Sequence, residues 1–236
     1  MDANTLIKNS EPFLRYVAEW EAALPEAELA RLAAEPTRVA IISVDVINAF
    51  CYTGPLASPR VQKLVSPIVS LFERARAAGV PHFVLAQEAH EPDAMEFAQY
   101  PPHGVKETEE AEAVPEFKAL PFFSEMVIIP KNSINPALNT RLEAWLNEHP
   151  QVDTFVVVGD CTDLCTYQLA MYLRLRANAY QLGQRVILPV NCTDTFDIPV
   201  ETAQKVGAVP HDGDLLHLIF LYSMMLNGVE VVRSLS

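Results

Sequence analysis

Residues 154–182 read TFVVVGDCTDLCTYQLAMYLRLRANAYQL. Thr154–Val158 is a short Val-rich run with no polar alternation, which is the pattern of a strand covered on both faces. A Gly-Asp turn follows. A helical pattern then runs from Thr162 to Leu182 and stops at Gly183. A two-face-buried strand that leads into a helix implies a parallel sheet with crossover connections. Five further runs of the same kind flank this unit: Arg38–Val44, Val80–Ala86, Met126–Pro130, Arg185–Val190 and Val229–Val232. The predicted fold is therefore a three-layer α/β/α domain around a six-stranded parallel sheet.

Helical patterns separate most of these runs. Val61, Leu64, Val65, Ile68, Phe72 and Ala75 share a face between the first two. Ser58-Pro59 is a cap with a first-turn proline, and Pro67 is expected to kink or restart the helix. Leu138, Leu142, Trp145 and Leu146 form the next apolar face. Asp214–Asn227 is apolar on nearly all sides, which suggests burial, including burial against another subunit. Residues 1–37 read as an N-terminal extension, helical over 10–35 and broken near Pro25, ahead of a domain spanning 38–236. Residues 88–120 contain prolines at 92, 101, 102 and 115 and no clean helix. A long irregular loop inside a compact domain is more often functional than accidental.

Composition narrows the function. The chain has 236 residues, 17 Lys+Arg against 30 Asp+Glu and a formal net charge of -13. A protein this acidic lacks the basic face that nucleic acid or an anionic membrane surface requires. No run is long enough to span a bilayer, and the first residues carry no secretory pattern. Cysteines at 51, 161, 165 and 192 include no C-x-x-C, so no disulfide framework is expected. The expectation is a reduced, cytoplasmic, soluble protein.

Ligands of an open parallel sheet collect at the carboxyl ends of its strands. Asp45 ends the first run, Glu88 and His90 follow the second, Lys131 follows the third, and Cys165 lies in the helix after the fourth. An acid, a cation and a thiol are thereby delivered to one edge. A helix N-terminus and a nearby lysine both favour thiolate, the nucleophilic form. From the residues alone, Cys165 is either that nucleophile or a small buried hydrophobe.

Three blocks then resemble the isochorismatase-like cysteine hydrolases, and within them the nicotinamidases. They are AIISVDVINAF with Asp45, Asn48 and Phe50, VIIPKNS with Lys131, and VVVGDCTDLCT with Cys165. The resemblance spans roughly residues 38–232. It implies a sheet order of 3-2-1-4-5-6 and a catalytic triad of Asp45, Lys131 and Cys165. It also implies an oxyanion site around Asp160, Cys161 and Leu164 with a cis peptide at Asp160–Cys161, and substrate contacts from Asn48, Phe50 and Tyr100.

The loop QEAHEPDAMEFAQYPPHGV resembles the nicotinamidase metal loop, which places Glu88, His90, Glu96 and His103 as ligands. Such a set suits Zn²⁺, or Mn²⁺ or Fe²⁺. Glu88 stands where the family has Asp, and Gly104 where it has Cys, so the loop either keeps the metal or keeps only its shape. In the resembling enzymes the metal holds the pyridine nitrogen of the substrate and ordered waters. Residues near 192–212 are extra, with Asn191 or Asp194 in place of the family's acidic residue. The implied activity is hydrolysis of a small planar amide, nicotinamide first, by a homo-oligomer (dimer or tetramer). The alternatives are a metal-free carbamoyl or ureido amidase of the same family, and a non-catalytic binding protein on this fold.

Overall fold

The computed structural model describes residues 2–236. Chain order runs α1 (Ala3–Ala22), α2 (Leu29–Leu32), β1 (Val39–Val44), α3 (Asn48–Cys51), α4 (Pro59–Gln62), α5 (Val65–Ala77) and β2 (His82–Glu88). It continues through α6 (Pro115–Lys118), β3 (Val127–Lys131), α7 (Leu142–Glu148), β4 (Thr154–Gly159) and α8 (Cys165–Ala179). The last elements are β5 (Arg185–Pro189), α9 (Val200–Val206), α10 (Gly213–Leu226) and β6 (Glu230–Val232). The six strands pair in the order β3-β2-β1-β4-β5-β6, all parallel. The sheet predicted from the apolar runs is the sheet observed.

β1 and β4 are buried along their whole length, because each face meets its own layer. On one face Val39, Ile41, Val156 and Val158 pack with Ile68, Phe72 and Ala75 of α5 and with Phe117 of α6. On the other, Ile42, Val44 and Val157 pack with Trp145 of α7, Leu169 and Leu173 of α8, and Leu221 and Met224 of α10. At roughly 1.5–3 kcal/mol for each fully buried large aliphatic side chain, these two layers dominate the stability of the sheet.

Several boundaries differ from the sequence reading. α1 starts at Ala3, where Asp2 caps it by accepting from the Thr5 N–H at 3.0 Å, and it carries Pro12 in its interior. The break in the second helical segment falls at Lys63–Leu64, and Pro67 lies in the first turn of α5, where a missing N–H costs nothing. α7 starts at Leu142, leaving Leu138 61% exposed. α10 buries Leu221 and Met224 while Leu215 and Leu226 remain exposed. α1 packs on it, with Phe13, Tyr16 and Trp20 ringed edge-on about Tyr222. The extension is also tied to the C-terminus, where Ala27 N–H donates to Ser234 O at 3.0 Å and Ser236 N–H to Ala27 O at 2.9 Å.

Candidate active site

β1 and β4 end side by side, with Val44 paired to Gly159. Gly159 has φ +113°, and a Cβ there would stand 2.0 Å from Val44 O. Glycine is thus required where the two strand ends approach. One residue on, Asp45 adopts a left-handed φ of 53°, a conformation that Asp tolerates better than most residues. Its N–H donates to Ala86 O at 2.9 Å, and its Oδ1 accepts from the Glu88 N–H at 2.8 Å. The carboxylate is thereby locked against the end of β2.

β2 and β3 pair Glu88 with Lys131. Lys131 Nζ lies 2.8 Å from Asp45 Oδ2, 2.9 Å from Glu88 Oε1 and 3.5 Å from Cys165 Sγ. The four side chains are almost completely buried. Cys165 is the first residue of α8, not a few residues into it, because Leu164 has φ -119° and ψ -105° and cannot be helical. The thiol therefore sits at the helix end, where unpaired N–H groups favour negative charge. The Asp160–Cys161 peptide is cis, as the resemblance implied. Among the described residues, the backbone N–H groups of Cys161 and Cys165 meet no acceptor. The Cys161 carbonyl accepts instead from the N–H groups of Leu164 and Thr166, both at 3.1 Å.

Burial and one shared cation set the charges. Burial pushes Asp45 up to about 6, against the pull of Lys131 and with help from Glu88. Burial drives the Cys165 thiol well above its ordinary range, with Lys131 opposing. Burial disfavours the Lys131 charge too, but Asp45, Cys165 and Glu88 together hold it firmly protonated. Glu88 is held well below the usual carboxylate range, since Lys131 and the two imidazoles outweigh its desolvation.

Glu88 also faces the second cluster. Its Oε2 lies 3.3 Å from His90 Nε2 and 3.0 Å from His103 Nε2, and Glu96 Oε1 is 3.9 Å from His90 Nε2. One ligand atom from each of the four residues falls within 4.8 Å of the others. The Nδ1 atoms of His90 and His103 point to Asn132 Oδ1 at 3.0 Å and Pro101 O at 2.8 Å, both acceptors. Each Nδ1 therefore carries a proton and each Nε2 faces Glu88, so that losing the Nε2 proton would turn a lone pair inward in the arrangement of metal-ligating histidines. Glu88 Oε2 and His90 Nε2 are buried with no well-aligned hydrogen bond. These donors fit a divalent transition metal. Asp45, Glu88 and Cys165 also converge within 4.8 Å, but the Lys131 ammonium fills that space.

Glu88, read from the sequence only as a metal ligand, thus touches the triad as well. The register that sets Glu88 beside Lys131 was the available signal. Asn132, which orients His90, carried no motif of its own. Phe50 is buried, its ring 5.6 Å from His103, and Tyr100 lies 6.1 Å from the same imidazole. Tyr100 also lines an open cleft with Glu96, Gln99 and Asn132. Asn48 Nδ2 donates to Glu109 O at 2.9 Å, which anchors the loop over the site.

The 192–212 segment is fastened to the turn before the thiol. Thr162 N–H donates to Asp194 O at 3.0 Å, and Asp163 accepts from Thr195 Oγ1 at 2.6 Å and pairs with His211 Nε2 at 2.8 Å. His217 meets Thr162 Oγ1 at 2.7 Å. Asp194 itself pairs with Arg60 at 2.8 Å. His211 had no assigned role in the sequence, because its partners lie 15 and 48 residues away.

A parallel sheet that brings a thiol, a lysine and carboxylates together at the carboxyl ends of four adjacent strands, β3-β2-β1-β4, fits a hydrolase of the open α/β class. The chain belongs to the isochorismatase family: the Isochorismatase domain model matches residues 39–207. It is 30% identical over 219 residues to Nicotinamidase 1 of Arabidopsis thaliana, covering 84% of this chain and 86% of that protein. In fold it is similar to N-carbamoylsarcosine amidase from Thermoplasma acidophilum, with TM-score 0.62 and 22% identity over 83% of this chain and 96% of the other. The pyrazinamidase/nicotinamidase of Streptococcus mutans gives TM-score 0.62 and 20% identity over 82% and 99%.

Proposed function

We propose that the protein is a cysteine amidohydrolase acting on a small planar amide, with nicotinamide, which would yield nicotinate and ammonia, as the first substrate to test. The observation that carries this reading is the buried contact of Lys131 with Asp45 and the Cys165 thiol at the N-terminus of α8. The similarity to Nicotinamidase 1 supports the substrate class.

Asp45 serves as the base. With a pKa of about 6 it is ionised at neutral pH yet still basic, whereas Glu88, held far lower, is a poor proton acceptor although its Oε1 is 3.6 Å from Sγ. A base is most effective when its pKa lies near the working pH. Cys165 attacks the amide carbonyl as its proton passes to Asp45. The free N–H groups of Cys161 and Cys165 receive the oxyanion. Asp45 hands the proton to the leaving nitrogen, ammonia departs and a thioester remains. Water then attacks the thioester, giving one proton to Asp45, which returns it to the thiolate as the acid is released. Lys131 keeps Asp45 charged and sets the thiol beside it.

Glu88, His90, Glu96 and His103 would hold one zinc, manganese or iron ion. When bound, the metal supplies a Lewis-acidic point that can bind a ring nitrogen. Phe50 and Tyr100 bracket the planar ring beside the His103 imidazole. The test is an ammonia-release screen over small amides, with metal analysis on the same preparation. Release from nicotinamide supports the reading. Release only from carbamoyl or ureido compounds by metal-free protein favours the other amidase, and release from none points to a binding protein.

A further inference from the structure

Asp160 has no place in the mechanism above, yet it lies within the site. It follows Gly159 at the end of β4, and its N–H donates to Val44 O at 3.1 Å, next to Asp45. It is 1% exposed. Its carboxyl is within electrostatic reach of Asp45, Glu88 and Lys131, and the Cys51 thiol of α3 feels it from the other side.

This carboxyl has no cation of its own. Lys131 is already divided between Asp45 and Glu88, and Arg60, which reaches the neighbouring turn, is engaged by Asp194 and Asp214. A third unpaired carboxylate in that space is prohibitive, so the group is retained as a neutral acid. Burial, then Asp45 and then Glu88 all push its proton affinity up. Oδ2 receives the Cys161 S–H at 3.7 Å, which makes it the carbonyl-like oxygen. Oδ1 is buried and meets no partner. The side chain therefore offers an O–H donor with nothing to donate to. A buried donor left unpaired costs stability, and such a cost at a strand end beside a catalytic cluster marks a group awaiting a ligand.

We propose that Asp160 is a substrate-recognition residue whose carboxylic O–H binds a hydrogen-bond acceptor on the substrate, separate from the scissile amide and from the ring atom given to the metal. The inference rests on the amidase reading and sharpens it. The preferred substrates are planar primary amides with a second acceptor on the ring, such as a second ring nitrogen or a ring carbonyl.

The experiment uses the full chain with Cys165→Ala, so that amides bind without turnover, and compares it with the same protein carrying Asp160→Leu or Asp160→Asn. Calorimetry measures nicotinamide against pyrazinamide and an oxo-substituted nicotinamide, and melting is followed without ligand. We expect at least one two-acceptor amide to bind about tenfold more tightly than nicotinamide, the scale of one added hydrogen bond. Asp160→Leu should cancel that preference, while Asp160→Asn, which still has a donor, should keep part of it. Asp160→Leu should also melt at the same temperature or higher, because it removes an unpaired polar group. Unaltered selectivity in Asp160→Leu overturns the proposal, and a clear fall in its melting temperature assigns Asp160 to structure. If no amide binds any of the proteins, the amidase reading fails and this inference fails with it.

Discussion

Cys165 is one of four buried, free cysteines, and only its position separates it from the others. Burial pushes Cys51 and Cys192 upward as it does Cys165, but neither has a lysine within hydrogen-bonding distance. Cys165→Ala should therefore abolish amide hydrolysis with the fold intact by circular dichroism. Cys51→Ala and Cys192→Ala should keep most of it, and near-normal turnover in Cys165→Ala would remove the cysteine mechanism. Asp45 predicts a pH profile. Its ionised form is the working base, so kcat/KM should fall as pH drops through about 6. The same proton acts on stability in the opposite sense. The folded state binds it more tightly than the unfolded chain does, so this group favours folding at low pH and costs stability as pH rises from 3.8 to about 6. A rate that is flat from pH 5 to 8 would exclude Asp45 as the base. The acid, the lysine and the thiol were legible in the sequence because each sits at a strand end. The second contact of Glu88 was not, since it depends on how far one extra methylene reaches across a register.

At the scale of elements, strand centres were readable and helix ends were not. A two-face-buried strand has a strong composition signal, so all six runs fall within two residues of the observed strands. Helix starts depend on caps and turns. Apolar spacing extends the pattern of α8 back to Thr162, but Leu164 breaks the backbone. The fit of β1 against β4 gives a sharp expectation for Gly159. An added Cβ would overlap the Val44 carbonyl, and no side-chain rotation relieves a clash with backbone. Gly159→Ala should lose at least ~3 kcal/mol, or about 10 °C in melting temperature for a chain of this size. A variant that melts within 2 °C of the parent, to take a rough threshold on the same scale, would show that the strand ends can separate.

Over the whole molecule, two clusters meet at one carboxyl edge, where the loop after β2 supplies His90, Glu96 and His103 and the 192–212 segment is fastened to the turn before Cys165. If the four ligands hold one ion, the purified protein should contain about one equivalent of a transition metal, zinc foremost. His90 and His103 must shed their second proton to ligate. Burial lowers their proton affinity but Glu88 raises it further, so metal affinity should fall as pH drops through the upper part of the usual histidine range. Replacing either histidine should empty the site and raise KM for pyridine amides. Protein that is metal-free as isolated, and that takes up no zinc, manganese or iron on dialysis, would instead leave His90 and His103 as hydrogen-bonded loop anchors.

Glu88 has one oxygen on Lys131 and the other on two imidazoles. Mutations on either side should therefore be epistatic. His90 and Lys131 have no contact of their own, yet a double-mutant cycle between them should show a non-zero interaction energy in catalysis, read as a departure from multiplied rate losses. Repeated in a Glu88→Gln background, where the bridging charge is gone, the cycle should close to additivity. Residues in this loop would then evolve in pairs, because neither cluster can be retuned without the other registering the change.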